Sequence, residues 1–131
     1  MYTALGIDPH IVDGQPGLPD MVFCANQTLP FFDPLAERHG VVLSRMQAEQ
    51  RRDEVPYFAD AFSDLNYTVE SLPESVNSPF EGMGDGIWHP GRYLLWGGYG
   101  FRSAPEPYEV LAGLLGARVV ALELTDADFY H

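Results

Sequence analysis

Apolar side chains recur at two spacings along the chain, and the switch from one to the other marks out its elements. Two short apolar runs, MVFCA (21–25) and GVVLS (40–44), are rich in Val and Phe and read as buried strands. From about residue 52 to 65 the apolar positions Val55, Phe58, Phe62 and Leu65 recur every three or four residues, the period of an amphipathic helix, and Pro56 is tolerable in a first turn. YTVESL (67–72) alternates as a half-buried strand does, and residues 86–88 and RYLLWG (92–97) predict two more. Ser103 with Glu106 three residues on has the spacing of a capping box; the helix it would start carries Tyr108, Leu111, Leu114 and Leu115 on one face and stops at Gly116. RVVALEL (118–124) predicts the last strand. The order strand, strand, helix, several strands, helix, strand indicates a mixed α/β fold. A helix followed by a V-x-x-L strand occurs twice, ending near residues 72 and 124, which points to an internal repeat.

The Pro/Gly clusters at 13–19, 72–79 and 89–91 read as turns between short elements rather than linkers, so residues 1–131 are expected to form one continuous domain. A hydrophobic content of 46% and an aromatic content of 13% support a packed interior. Charge narrows the function classes. Seven arginines and no lysine stand against 19 acids, a net charge of −12 that repels phosphate backbones and anionic membrane surfaces. Nucleic acid and membrane are therefore not expected as partners, whereas a cationic ligand suits the field; a solubilising acidic surface is the plainer account of the same charge. The lone Cys24 allows no internal disulfide and fits a reducing compartment. With no apolar run of about 20 residues, and with MYTALGIDPH lacking a basic region ahead of an apolar stretch, the expected location is cytoplasmic.

Three segments place acids or histidines at the ends of apolar runs: PDMVFCAN (19–26), FEGMGD (80–85) and ADFYH (127–131). Asp20, Glu81 and Asp85 each read either as a turn cap or as a ligand in a pocket mouth. The glycines of E-G-x-G-D favour the second reading for Glu81 and Asp85, because they let backbone approach where a Cβ would clash. No Lys-Ser/Thr follows, which excludes a phosphate loop. Paired carboxylates match a guanidinium, whose planar fork of N–H donors fits their oxygens. His10, His39, His89 and His131 lack the close spacing that sets two metal ligands on one face, so neither a metal nor a cofactor is expected. His89 in WHPG reads as a turn residue, Cys24 as an inert thiol inside a strand, and Trp88 and Trp96 as packing residues.

In four segments taken in order the chain resembles the guanidine-modifying superfamily, which includes dimethylarginine dimethylaminohydrolases, arginine deiminases and amidinotransferases. PGLPDMVFCAN resembles an early strand with a guanidinium-binding acid, SRMQAEQRRDE an arginine segment ending in R-R-x-E, FEGMGDGIWHPGRYLLWGGYGFRS the E-G-G-D strand pair with its downstream arginine, and ELTDADFYH the approach to a catalytic histidine. The resemblance implies a partial β/α propeller (pentein-like) of ββαβ-type units, incomplete at both ends, in which a cysteine thiolate attacks the guanidinium carbon and a histidine moves the protons. On it, Asp20 contacts the guanidinium, Asn26 stands where many relatives have an acid, and Arg45 and Arg102 bind the substrate's carboxylate end. His131 is the general acid/base, Glu81 the carboxylate that orients it or binds a substrate nitrogen, and Asp85 a second acid at the pocket. Met83 lengthens E-G-G-D by one residue, which leaves open whether Glu81 or Asp85 faces the histidine. The nucleophilic cysteine of relatives lies nearer their C-terminus, and Cys24 does not occupy its place. The expected ligand is a cationic guanidino small molecule. Three uses follow: an inactive fragment of a C–N hydrolase, one half of a split enzyme completed by a second chain, or a guanidino-binding module. The competing class is a small metal-binding β-rich barrel.

Overall fold

The structure, a computed structural model, describes residues 2–131. Two β-hairpins, each followed by a helix and then a strand parallel to the hairpin's second strand, make up most of it. In the first unit, β1 (Thr28–Asp33) pairs antiparallel with β2 (Arg38–Leu43), α1 (Val55–Asp64) crosses over, and β3 (Thr68–Glu70) returns parallel to β2. After the single turn α2 (Gly82–Asp85), the second unit repeats this plan with β4 (Gly86–Trp88), β5 (Leu94–Tyr99), α3 (Glu106–Leu115) and β6 (Arg118–Glu123). Each sheet has the hairpin's second strand at its centre, in the orders β1-β2-β3 and β4-β5-β6. The repeat suggested by the two V-x-x-L strands is thus two ββαβ units.

Alternation along the strands decides what each sheet face covers. On the first sheet Leu29, Phe31 and Val42 share one face and Val41 and Val69 the other. Tyr108, Leu111 and Leu115 of α3 join Leu29, Phe31 and Val42 in one buried cluster together with Phe80 and Leu95, so α3 lies between the two sheets. Phe80 and Tyr108 meet edge to face, 5.8 Å between ring centres. Gly97 is needed under this helix: a Cβ there would sit 2.3 Å from the Tyr108 ring. Burial pushes the Tyr108 phenol well above its ordinary pKa, with the nearby Asp85 charge adding to the effect; its hydroxyl donates to the Gly98 carbonyl at 2.8 Å.

Three expectations need correction. Residues 21–25 are not a strand: Pro19–Val22 form a 3-10 turn, Met21 is buried and Val22, Phe23 and Cys24 are exposed. Pro19 fixes the turn's opening φ, and Arg51 holds the Asp20 and Phe23 carbonyls from below, at 3.2 and 3.3 Å. Cys24 is consequently an exposed turn thiol, not a core one. The true neighbouring strand, β1, carries Pro30 and escaped the pattern; it is an edge strand, where a missing N–H costs no ladder bond. Finally, Ser103 does not cap α3, whose N-cap is Pro105 with no side-chain cap bond; the serine points inward. Gly116 does end that helix, in the left-handed region at φ 61°. Among the described residues no helix is long and apolar enough to cross a membrane.

Candidate functional site

Glu81 is fully buried and Asp85 nearly so, at opposite ends of the α2 turn. The turn fits because its glycines take space that no side chain could. Gly82 has φ +50° and would push a Cβ to 2.4 Å from the Thr28 carbonyl, and a Cβ on Gly84 would lie 2.3 Å from the Asn26 amide nitrogen. Met83 points outward and is exposed, so the extra residue is absorbed as helical turn, with Glu81 and Asp85 one turn apart.

Asp85 faces the imidazole: His131 Nδ1 lies 2.8 Å from Asp85 Oδ1. The other oxygen, Oδ2, accepts from the Ser103 hydroxyl at 2.5 Å, and Ser103 in turn accepts the Glu81 backbone N–H at 2.9 Å. One hydroxyl therefore ties both ends of α2 together. Glu81 Oε1 accepts the Gln47 backbone N–H at 3.2 Å and lies 3.9 Å from Arg102 Nη1; its Oε2 accepts from Asn26 Nδ2 at 3.3 Å. Asn26 Nδ2 is also 3.4 Å from His131 Nε2. These contacts assign a consistent tautomer: Nδ1–H donates to Asp85, and Nε2 accepts from the Asn26 amide. Nε2 is then the nitrogen able to take a proton on the cavity side.

Asp20, Asn26, Arg102, Tyr130 and His131 line one cavity of about 320 Å3, floored by Arg51. Arg102 stacks over the Tyr130 ring at 5.2 Å, which holds the guanidinium at the rim. Of the residues singled out from the sequence, Asp20, Asn26, Glu81, Asp85, Arg102 and His131 therefore converge. Arg45 does not: its backbone bridges to Phe80 and its guanidinium donates to the Val76 carbonyl, away from the cavity. Cys24 lines a different cavity with His10, Met21 and Phe58.

Sequence reasoning missed two contributors. Ser103 looked like a helix cap because it stands three residues before Glu106. Behind the cavity lies a closed cluster: Arg51 Nε and Nη2 both donate to Glu54, and Gln27 Nε2 donates to Glu54 Oε2 at 2.6 Å. All three are buried, and Arg51 also holds the turn that presents Asp20. The R-R-x-E spacing carried that signal, since it sets Arg51 and Glu54 on one side of a helical turn.

Fold and cavity together define a class: two ββαβ units carrying buried carboxylates and an imidazole around a polar cavity. No family model matches the chain. The bifunctional arginine dihydrolase/ornithine cyclodeaminase of Nostoc sp. is 42% identical over 121 residues, 92% of this chain and 16% of that protein. The N(G),N(G)-dimethylarginine dimethylaminohydrolase of Mycobacterium tuberculosis is 33% identical over 130 residues, 99% of this chain and 39% of that one. Among solved structures, the N-terminal domain of the cyanobacterial arginine dihydrolase ArgZ, bound to its substrate, matches with a TM-score of 0.82 at 40% identity, covering 93% of this chain and 42% of that domain. A dimethylarginine dimethylaminohydrolase matches in fold, with a TM-score of 0.67 at 18% identity. The chain belongs to the guanidine-modifying superfamily of arginine dihydrolases and dimethylarginine dimethylaminohydrolases, and spans less than half the length of these relatives.

Proposed function

We propose that the chain supplies the guanidinium-binding and proton-transfer part of a hydrolase that cleaves C–N bonds of guanidino compounds through a cysteine thiolate. The observation that carries this is the His131–Asp85 contact at 2.8 Å beside the buried Glu81 and Asn26, facing a cavity rimmed by Asp20 and Arg102. Glu81 and Asp20 offer carboxylate oxygens to the N–H fork of a guanidinium, and Arg102 offers its own guanidinium to a carboxylate at the far end of the ligand. Binding there displaces the Asn26 amide from His131 Nε2. The cysteine thiol gives its proton to His131 Nε2 and, as the thiolate, attacks the guanidinium carbon to form the S–C bond; Nε2–H then passes that proton to the departing amine as the C–N bond breaks. The same nitrogen then takes a proton from the water that attacks the carbon and releases sulfur. Asp85, held by Ser103, keeps the ring in the tautomer this needs and stabilises the imidazolium.

The cysteine of that reaction is not Cys24, which lines a separate cavity. By itself the chain binds without turnover, and a further part of a propeller of ββαβ units, of which residues 1–131 form one partial domain, brings the thiolate. ArgZ has been captured covalently bound to a reaction intermediate, which fits this chemistry in a relative.

Calorimetric titration with L-arginine, methylarginines and L-citrulline tests the reading. The expected result is binding of a cationic guanidino compound, no binding of neutral citrulline, and no ammonia release by the chain alone. Equal affinity for citrulline would sink the guanidinium reading; ammonia release by the chain alone would show that it holds its own nucleophile.

A further inference from the structure

Asn26 and Glu81 lie ahead of β1 and β4, so the hairpin turns that close β1–β2 and β4–β5 stand at the other end of the sheets. Beside these turns runs a cleft of about 440 Å3 that shares no residue with the cavity of His131. Its volume is that of a small-molecule site. Its walls are aromatic. On the first unit Phe32 and His39, partners across the hairpin, lie 5.1 Å apart between ring centres, and Tyr67 continues the row 5.4 Å from His39. On the second, Trp88 and Tyr93 stack at 5.2 Å with their planes 14° apart. The polar ends of that pair are already committed: Trp88 Nε1 donates to the Pro30 carbonyl on edge strand β1 at 2.8 Å, and the Tyr93 hydroxyl donates to the Leu115 carbonyl at 3.0 Å. Both rings are therefore held in place before any ligand arrives. Phe32 nevertheless remains 45% exposed, so the rings surround open space instead of filling it.

Charge selects among aromatic ligands. In a chain of net charge −12, Arg92 lines the cleft together with the titratable ring of His39, and no carboxylate does. Arg92 is exposed and enters none of the ion pairs among the described residues. Asp33, between Phe32 and Pro34, is turned into its own hairpin, where it accepts the Leu35 and Ala36 N–H groups and pairs with Arg38. A guanidinium beside fixed rings suits a flat anion, which can stack on the rings while its acidic group meets the N–H fork. An aromatic cation, which the net charge would otherwise favour, meets Arg92 instead.

We propose that the cleft beside the two hairpin turns binds a planar aromatic anion, with its rings among Phe32, Tyr67 and Trp88 and its acidic group on Arg92. This is independent of the guanidino reading, because the ligand carries the opposite charge and meets different residues. The probes are naphthoate and naphthyl phosphate, with naphthamide and naphthylmethylammonium as the neutral and cationic controls. The readout is the indole N–H resonance of Trp88, assigned as the one that survives in Trp96→Phe. At least one of the two anions should shift it saturably and bind about fivefold or more tighter than either control; the tighter anion identifies the acidic group. Arg92→Gln should abolish this preference and leave naphthamide binding unchanged, and Phe32→Ser should weaken every probe. L-Arginine affinity should be the same in both variants, since neither side chain lines the cavity of His131. A Trp88 resonance that no probe shifts overturns the proposal. So does naphthamide or naphthylmethylammonium binding as tightly as the anions, or a preference for anions that persists in Arg92→Gln.

Discussion

Two clusters of buried polar side chains begin at adjacent residues, Gln27 and Asn26, and differ in what they leave free. In the first, Arg51 Nε and Nη2 and Gln27 Nε2 all donate to Glu54, and Arg51 Nη2 also reaches backbone carbonyls; of the fully buried side-chain polar atoms among the described residues, only Gln27 Oε1 lacks a partner. In the second, Glu81, Asp85, Ser103 and Asn26 are equally buried, yet their bonds end at a partly exposed imidazole and the rim guanidinium of Arg102. In the first network the Arg51 charge is matched by the buried Glu54 and the pair serves the backbone, although Arg51 also floors the cavity. The second is open toward a cavity, and a ligand can exchange for its weakest contacts, those of Asn26 at 3.3 and 3.4 Å. Burial of charge alone does not mark a site; burial with a solvent-facing end does.

Removing Glu54 should have the largest effect. Glu54→Ala strands the Arg51 guanidinium in a buried position, which typically costs about 3–5 kcal/mol, and denaturant unfolding should show a loss of that size. A stable Glu54→Ala protein would mean the closed cluster contributes little. Glu81→Gln keeps shape and removes charge from the open cluster. Arginine affinity should fall at least about tenfold, roughly 1.4 kcal/mol, with a smaller change in stability than Glu54→Ala causes. If the two substitutions rank the other way, the distinction between the clusters fails.

Tyr108 gives a subtler handle on the core beside the open cluster. Its folded pKa is raised, so above the unfolded value of about 10 the unfolded chain releases a proton that the folded one keeps. Its contribution is fully present below that pH, and stability should decline as pH rises beyond it. Unfolding curves between pH 9 and 11 should show this slope, and Tyr108→Phe should flatten it. The smallest effect is expected at Arg45, whose guanidinium serves the Val76 carbonyl: Arg45→Ala should leave arginine affinity within about twofold, the resolution of the titration.

Much of this was legible in the sequence. Both long helices and five of the six strands were expected from the sequence pattern, and only β1 was missed. The exceptions share a cause: long-range polar contacts override local pattern. MVFCA looks like a strand until Arg51 claims the carbonyls of Asp20 and Phe23, and Ser103 looks like a cap until Asp85 claims its hydroxyl. Strand β1 hid behind Pro30, which only its edge position permits. At the site, the glycine-rich stretch announced Glu81 and Asp85. Which of them meets the histidine depended on the α2 turn, and no spacing rule reveals a one-turn helix between two strands.

The central claim is that His131 Nε2 sits beside a guanidinium site with its tautomer fixed by Asp85. Nitrogen-15 NMR of His131 during titration with L-arginine tests it directly. The account predicts a protonated Nδ1 in the free chain, a shift of the Nε2 resonance as arginine displaces the Asn26 amide, and loss of that response in Glu81→Gln. An Nε2 resonance that ignores arginine, or responds equally in Glu81→Gln, would contradict it.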